Sequence, residues 1–254
     1  MRLKKGSLFA PAAVFAVALF LGGLLLPAHA AAAVYSPPYA DFGCSVFNNW
    51  DSRPKCDYAK AQVSSAGYTG FSNSYLTAST MMSGSYAQSD AIWGIFGHAG
   101  PGGINMTADG ANWSAVYSDP THAPGGNCGA PNACLSSYAS SQILHRVRFM
   151  LFGGCETAKR NATGHYELQE AAKADGVDSS IGFSTLITTG NQLSTWTNSF
   201  FYWSTVHGQN VLAAATSAEA DVYNTPSYYH DYGGVQNSVV FGPTVVLKPA
   251  AYGN

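Results

Sequence analysis

The 254-residue chain reads as an α/β protein with a mostly parallel sheet flanked by helices. Three observations predict this. Apolar runs of strand length alternate along the chain with longer segments of helix-forming composition. The strongest of these runs stop abruptly at glycine. No internal repeat or low-complexity linker interrupts the alternation, so residues 31–254 are predicted to form one domain.

The elements follow in order. "DFGCSVFN" (41–48) is the first strand candidate. "PKCDYAKAQVSSAG" (54–67) starts at proline and stops at glycine, the asymmetry of a helix. "AIWGIFG" (91–97) and "HRVRFMLFG" (145–153) are the strongest strands, each closed by glycine. Between them, Gly100 to Asn132 shows no clear periodicity and is expected to be a long surface excursion. "YELQEAAKADG" (166–176) is rich in helix formers and again ends at glycine. "SSIGFSTLI" (179–187) reads as a strand, and "WTNSFFYWSTVHG" (196–208) and "NVLAAATSAEADVYN" (210–224) as helices. In "SVVFGPTVVLK" (238–248) the Gly242-Pro243 pair implies a bend or an edge position.

Residues 1–30 are set apart from the fold. Arg2, Lys4 and Lys5 precede an apolar run from Leu8 to Leu26, and "PAHA" (27–30) has the small-x-small form of a signal-peptidase site. The competing reading is an uncleaved anchor, since the run is nearly long enough to span a bilayer. Cleavage after Ala30 predicts a secreted, extracellular domain without stable membrane association. That domain would carry nine basic and fourteen acidic residues, a formal charge of −5. A mildly acidic chain without basic clusters gives no footprint for nucleic acid.

All five cysteines lie beyond the leader. In an oxidising compartment an even set pairs and an odd one is left over. Spacing suggests Cys44 with Cys56 and Cys128 with Cys134, although sequence alone leaves the connectivity open. Under that pairing Cys155 is the spare thiol.

The two strongest strands end alike, one as "IWGIFG" before His98 and the other as "FMLFGG" before Cys155. Ligands of open parallel sheets bind beyond the carboxyl ends of the strands. If these strands are neighbours, an imidazole and the spare thiol share one edge. Cysteine nucleophilic catalysis needs that pair, because a histidine activates the thiol and then protonates the leaving group. No His-x-x-x-His or Cys-x-x-Cys pair supports a metal site, and no cofactor is implied. Gly-x-Ser-x-Gly is absent around Ser184, and Cys155 and Arg160 are too close for a phosphatase loop.

At these residues the sequence resembles the caspase-like (clan CD) cysteine peptidase superfamily, most nearly its gingipain- and CHAT-like domains. The order of a strand ending in histidine and a strand ending in cysteine is shared. "FGGCETA" (152–158) is similar to the CHAT-like cysteine motif, and "ADGVDSSIGFS" (174–184) with the following helices resembles the segment after it. The likeness covers roughly residues 55 to 225. It implies a His98–Cys155 dyad, peptide or protein substrates cleaved through a thioester, and an oxyanion hole of backbone N–H groups from Ala99 and Cys155.

Two positions depart from the family. Glycine usually follows the histidine, where this chain has Ala99, and many relatives have alanine before the cysteine, where it has Gly154. If position 99 requires positive φ, alanine there costs about 1–2 kcal/mol. This leaves two readings, an extracellular cysteine endopeptidase and a catalytically inactive peptidase-like domain serving binding or structure. Asp109, Asp119, Asp175 and Asp178 are candidates for a charged specificity pocket. Glu156 is expected to open the next helix, and His122, His145, His165, His207 and His230 to be surface or locally bonded residues.

Overall fold

The computed structural model describes residues 38–47, 50–74, 77–82, 90–107, 114–141, 143–187, 191–224 and 237–249. Residues 1–30, read as a signal peptide, and Asp109 and His230 lie outside them.

Six strands form the main sheet: β1 (Tyr39–Cys44), β2 (Thr69–Asn73), β3 (Asp90–Phe96), β8 (Phe149–Gly153), β9 (Ser179–Phe183) and β10 (Ser238–Phe241). Their order is β10-β9-β8-β3-β1-β2. All pairings are parallel except β9 with β10. β1 therefore has β2 on one side and β3 on the other. The chain reverses its direction of winding between β1 and β3, the type of place where such sheets open a crevice.

Alternation along buried strands explains the two faces. Phe42, Ile92, Phe96, Phe149, Leu151, Ile181 and Phe183 point into one core beneath α1 (Arg53–Ser65), α4 (Asn191–Phe201) and α5 (Val211–Tyr223). Trp196 and Phe200 of α4 stack there with ring centroids 5.0 Å apart. Trp93, Ile95, Met150 and Phe152 face the opposite core, which includes Leu168 and Ala172 of α3 (Glu167–Ala174) and Met81 of the short α2 (Ala78–Met81). Helices thus cover both faces, as the α/β expectation requires.

The predicted elements 41–48, 54–67, 91–97, 145–153, 166–176, 179–187 and 210–224 each overlap an observed one; β1, α1 and β3 start one or two residues earlier than predicted, and the observed elements mostly end sooner. The helix read at 196–208 begins earlier, at Asn191, and passes into a π turn over Tyr202–Val206. The strand at 238–248 stops at Phe241 because Gly242 turns it with φ of 94°.

One expectation is corrected. The stretch after Gly100 is not an irregular excursion but forms most of a second sheet. β4 (Ala99–Gly100), β5 (Gly103–Thr107), β6 (Ser114–Tyr117) and β7 (Ala133–Cys134) join in that order. Ile104 and Met106 alternate with Asn105 and Thr107, sending the two apolar side chains into the α3-side core. The strands are too short for that period to stand out. Cys128 and Cys134 are disulfide-bonded, tying the loop before β7 to its end. A second disulfide, Cys44–Cys56, joins the end of β1 to α1, and Cys155 is free.

Candidate functional site

β3 and β8 run side by side and finish level, with Ile95 opposite Phe152 and Phe96 opposite Gly153. The Gly97 N–H reaches the Gly153 carbonyl at 3.4 Å. His98 therefore lies two residues beyond the end of its strand, and Cys155 two residues beyond the end of the next. Glycine is required here by close approach. A Cβ on Gly153 would enter the Phe96 ring, and one on Gly97 would collide with the Asn105 carbonyl.

On the histidine side, the chain leaves β3 and turns into the small sheet. The His98 carbonyl accepts from the Asn105 N–H at 2.9 Å, and Ala99 stands opposite Ile104. In an antiparallel ladder hydrogen-bonded and non-hydrogen-bonded pairs alternate. Ala99 is thus in a non-hydrogen-bonded pair, and its N–H points away from β5, outward from the edge of the sheet. Its backbone is extended, since Glu156 alone among the described non-glycine residues has positive φ. Position 99 therefore carries no left-handed penalty for alanine.

Ala99 and Gly154 meet in space. A Cβ built on Gly154 would lie 2.5 Å from the Ala99 Cβ. The Ala99 methyl occupies space that a side chain at position 154 would need.

The His98 imidazole is exposed at one edge, while partial burial pushes its pKa below the ordinary histidine value. Beside it a cavity of about 300 Å³ opens between His98, Asn105, Tyr117 and His122. Ala99, Gly100, Pro101 and Gly103 complete its lining. Gly102 has φ of 77°, and the His122 ring occupies the place of its absent side chain, as the Tyr117 ring does over Gly103. Both nitrogens of His122 are engaged. Nε2 meets Glu167 Oε2 at 2.9 Å, and Nδ1 meets Ser118 Oγ at 3.1 Å and Asp119 Oδ1 at 3.3 Å.

On the cysteine side, Cys155 is half-buried against the α4-side core. Its Sγ accepts from the Ile187 N–H at 3.5 Å and donates to the Ile187 carbonyl at 3.6 Å. Cys155 lies outside the lining of the His98 cavity. Residues 155–158 form a tight turn. Contrary to expectation, Glu156 does not start a helix; it takes φ of 53° and pairs with Lys159 at 2.7 Å. The reason lies across the fold. The Glu156 N–H is committed to the Thr185 carbonyl at 3.0 Å, so the turn is pinned to the loop after β9.

The acidic candidates separate by sheet end. Asp175 and Asp178 precede β9 and lie at the amino-terminal end of the parallel strands, away from His98 and Cys155. Asp119 is held near the cavity by His122. His122, read in the sequence as surface or locally bonded, is bonded locally to Ser118 and Asp119 and also lines the cavity, while the sequence reading passed over Tyr117 and Thr157. The signal for His122 and Tyr117 was the Gly102-Gly103 pair, which makes room for their rings, but nothing local identified the partners.

No protein family profile matches the chain, and no curated protein matches it in sequence. A solved structure described as a protease is similar over 85% of this chain and 50% of its own, with a TM-score of 0.57 at 14% identity. This chain thus spans about half the length of that protein. The Saccharomyces cerevisiae separase–securin complex aligns with 82% of this chain and 12% of that one, with a TM-score of 0.46 at 14% identity. The likeness to the protease is one of fold.

Proposed function

We propose that this chain is a secreted cysteine endopeptidase of caspase-like type, with Cys155 as nucleophile and His98 as general acid and base. The observation that carries the reading is the level ending of β3 and β8, which brings the free thiol's turn and the imidazole's turn to one sheet edge. The two disulfides suit an oxidising compartment, and no helix among the described residues is long and apolar enough to cross a membrane.

In this mechanism the Cys155 proton passes to His98 and sulfur attacks the scissile carbonyl. Negative charge on that oxygen is met by the outward N–H of Ala99 and the N–H of Cys155. His98, whose pKa partial burial lowers, holds the proton transiently and delivers it to the departing amine. Water activated by the same imidazole then cleaves the thioester.

A second reading is favoured by one observation. The thiol contacts the Ile187 peptide group, and the cavity beside His98 does not include it. A domain without turnover would keep that arrangement. Alkylation of the purified protein with iodoacetamide separates the two. The peptidase reading expects selective modification of Cys155 at a rate that falls in His98→Ala. A Cys155 that resists alkylation, or a rate indifferent to His98, sinks it.

A further inference from the structure

We propose that Thr157 is the positioning residue of the nucleophile, its buried hydroxyl fixing the Cys155 turn against β9 and so setting the direction of the thiol. The proposal rests on the cysteine-peptidase reading above.

Thr157 is 2% exposed. Its Oγ1 lies 2.9 Å from the Phe152 carbonyl and 3.1 Å from the Gly154 carbonyl, and accepts from the Phe183 N–H at 3.0 Å. The hydroxyl's one proton serves the two carbonyls, shared between them or given to one, while a lone pair accepts from Phe183. One atom thereby ties together β8, the residue before the nucleophile and the last residue of β9.

Two further observations converge on the same atom. Gly182 on β9 leaves a slot for it: a Cβ there would stand 2.8 Å from Thr157 Oγ1 and 3.0 Å from the Ala158 Cβ. Glu156, between Cys155 and Thr157, holds a left-handed φ of 53°. Such a conformation persists in a non-glycine residue where the surroundings over-determine it. The hydroxyl, with the Ala158 N–H bonded to the Phe183 carbonyl at 2.9 Å, supplies that constraint. The thiol rests on Ile187, in the loop that continues from β9. Thr157 therefore registers the nucleophile's turn to the surface its sulfur touches.

The test compares Thr157→Val, which keeps the shape and loses the hydroxyl, with Thr157→Ser, which keeps the hydroxyl. In the full chain, the Cys155 alkylation rate by iodoacetamide is followed from pH 5 to 9 beside wild type and His98→Ala, and folding is followed by urea denaturation. Thr157→Val is expected to slow alkylation on the order of tenfold and to move its pH profile toward that of His98→Ala. Thr157→Ser should restore both. If the valine variant loses stability but its folded form keeps the wild-type rate and profile, the hydroxyl is only structural and the proposal is overturned. Should the valine variant fail to fold, Gly182→Ala presses on the same atom, and an unchanged rate there overturns the proposal equally. A wild-type rate indifferent to His98 removes the peptidase reading and this proposal together. A His98-dependent wild-type rate left intact by Thr157→Val removes the proposal alone.

Discussion

The contact between Ala99 and Gly154 predicts a non-additive pair of substitutions. In Gly154→Ala the new methyl would lie 2.5 Å from the Ala99 Cβ, 2.7 Å from the Gly97 carbonyl oxygen and 3.2 Å from Ile104 Cδ1. Carbon atoms in good contact sit about 3.5–4.0 Å apart, so the overlap with Ala99 is about 1 Å. Overpacking of this kind costs about 1–3 kcal/mol. Ala99→Gly removes a half-buried methyl and adds backbone freedom to the unfolded chain, costing about 1 kcal/mol. In the double variant the methyl at 154 takes the space that position 99 gives up. The Gly97 oxygen still crowds it, so recovery is partial. Urea denaturation of the four proteins should yield a coupling energy of about 1 kcal/mol in the favourable direction. Alkylation of Cys155 should follow the same order, slowest in Gly154→Ala and recovering in the double variant. Additivity within about 0.5 kcal/mol would refute the claim that these positions share one space.

Other outcomes follow from the same structure. Replacing Cys44 and Cys56 with alanine opens a loop spanning 12 positions and should lower stability by about 3 kcal/mol, read from the urea midpoint. Burial raises the Asp175 carboxyl to about 7, against a smaller lowering by a hydrogen bond from the Ile143 backbone. Because the folded pKa exceeds the unfolded one, the unfolded chain loses its proton first, and stability falls as pH rises from about 4 to about 7, with a slope approaching 1.4 kcal/mol per pH unit. Asp175→Asn should flatten that decline in urea melts between pH 4 and 8, and an unchanged slope would assign it elsewhere. Gly102→Ala forces a side chain at φ of 77° into the His122 ring and should cost about 1–3 kcal/mol, with a displaced His122 resonance in NMR spectra.

What could be read in sequence divides along physical lines. β3 and β8 were legible because strands buried on both faces are continuous apolar runs, and because glycines mark where they leave the sheet. Cys155 was legible by elimination, from a count of five cysteines. β2, "TGFSN", was not, since an edge strand half open to solvent has no need of an apolar pattern. The small sheet was hidden by strands of two to five residues. The cavity wall depends on His122 meeting Glu167, and the nucleophile turn on Thr157 meeting Phe183 and Gly182. These are contacts across the fold, which no local period encodes. Ala99 and Gly154, 55 positions apart, share one space that only the folded chain brings together.

The candidate dyad also joins two differently supported parts of the molecule. Ala99, beside His98, packs on the α3-side core with Ile104, whereas Cys155 packs on the α4-side core and its loop. Their relation is set at the seam where β3 pairs with β8, by backbone bonds and by glycines that let the strands' ends approach. A change in either core can therefore move one partner without the other. Interiors are close-packed and transmit strain rather than absorb it, so such a shift would reach the seam. Under the peptidase reading, alanine at Gly97, Gly153 or Gly154 should lower the Cys155 alkylation rate as well as the urea midpoint, because each Cβ would clash at the seam.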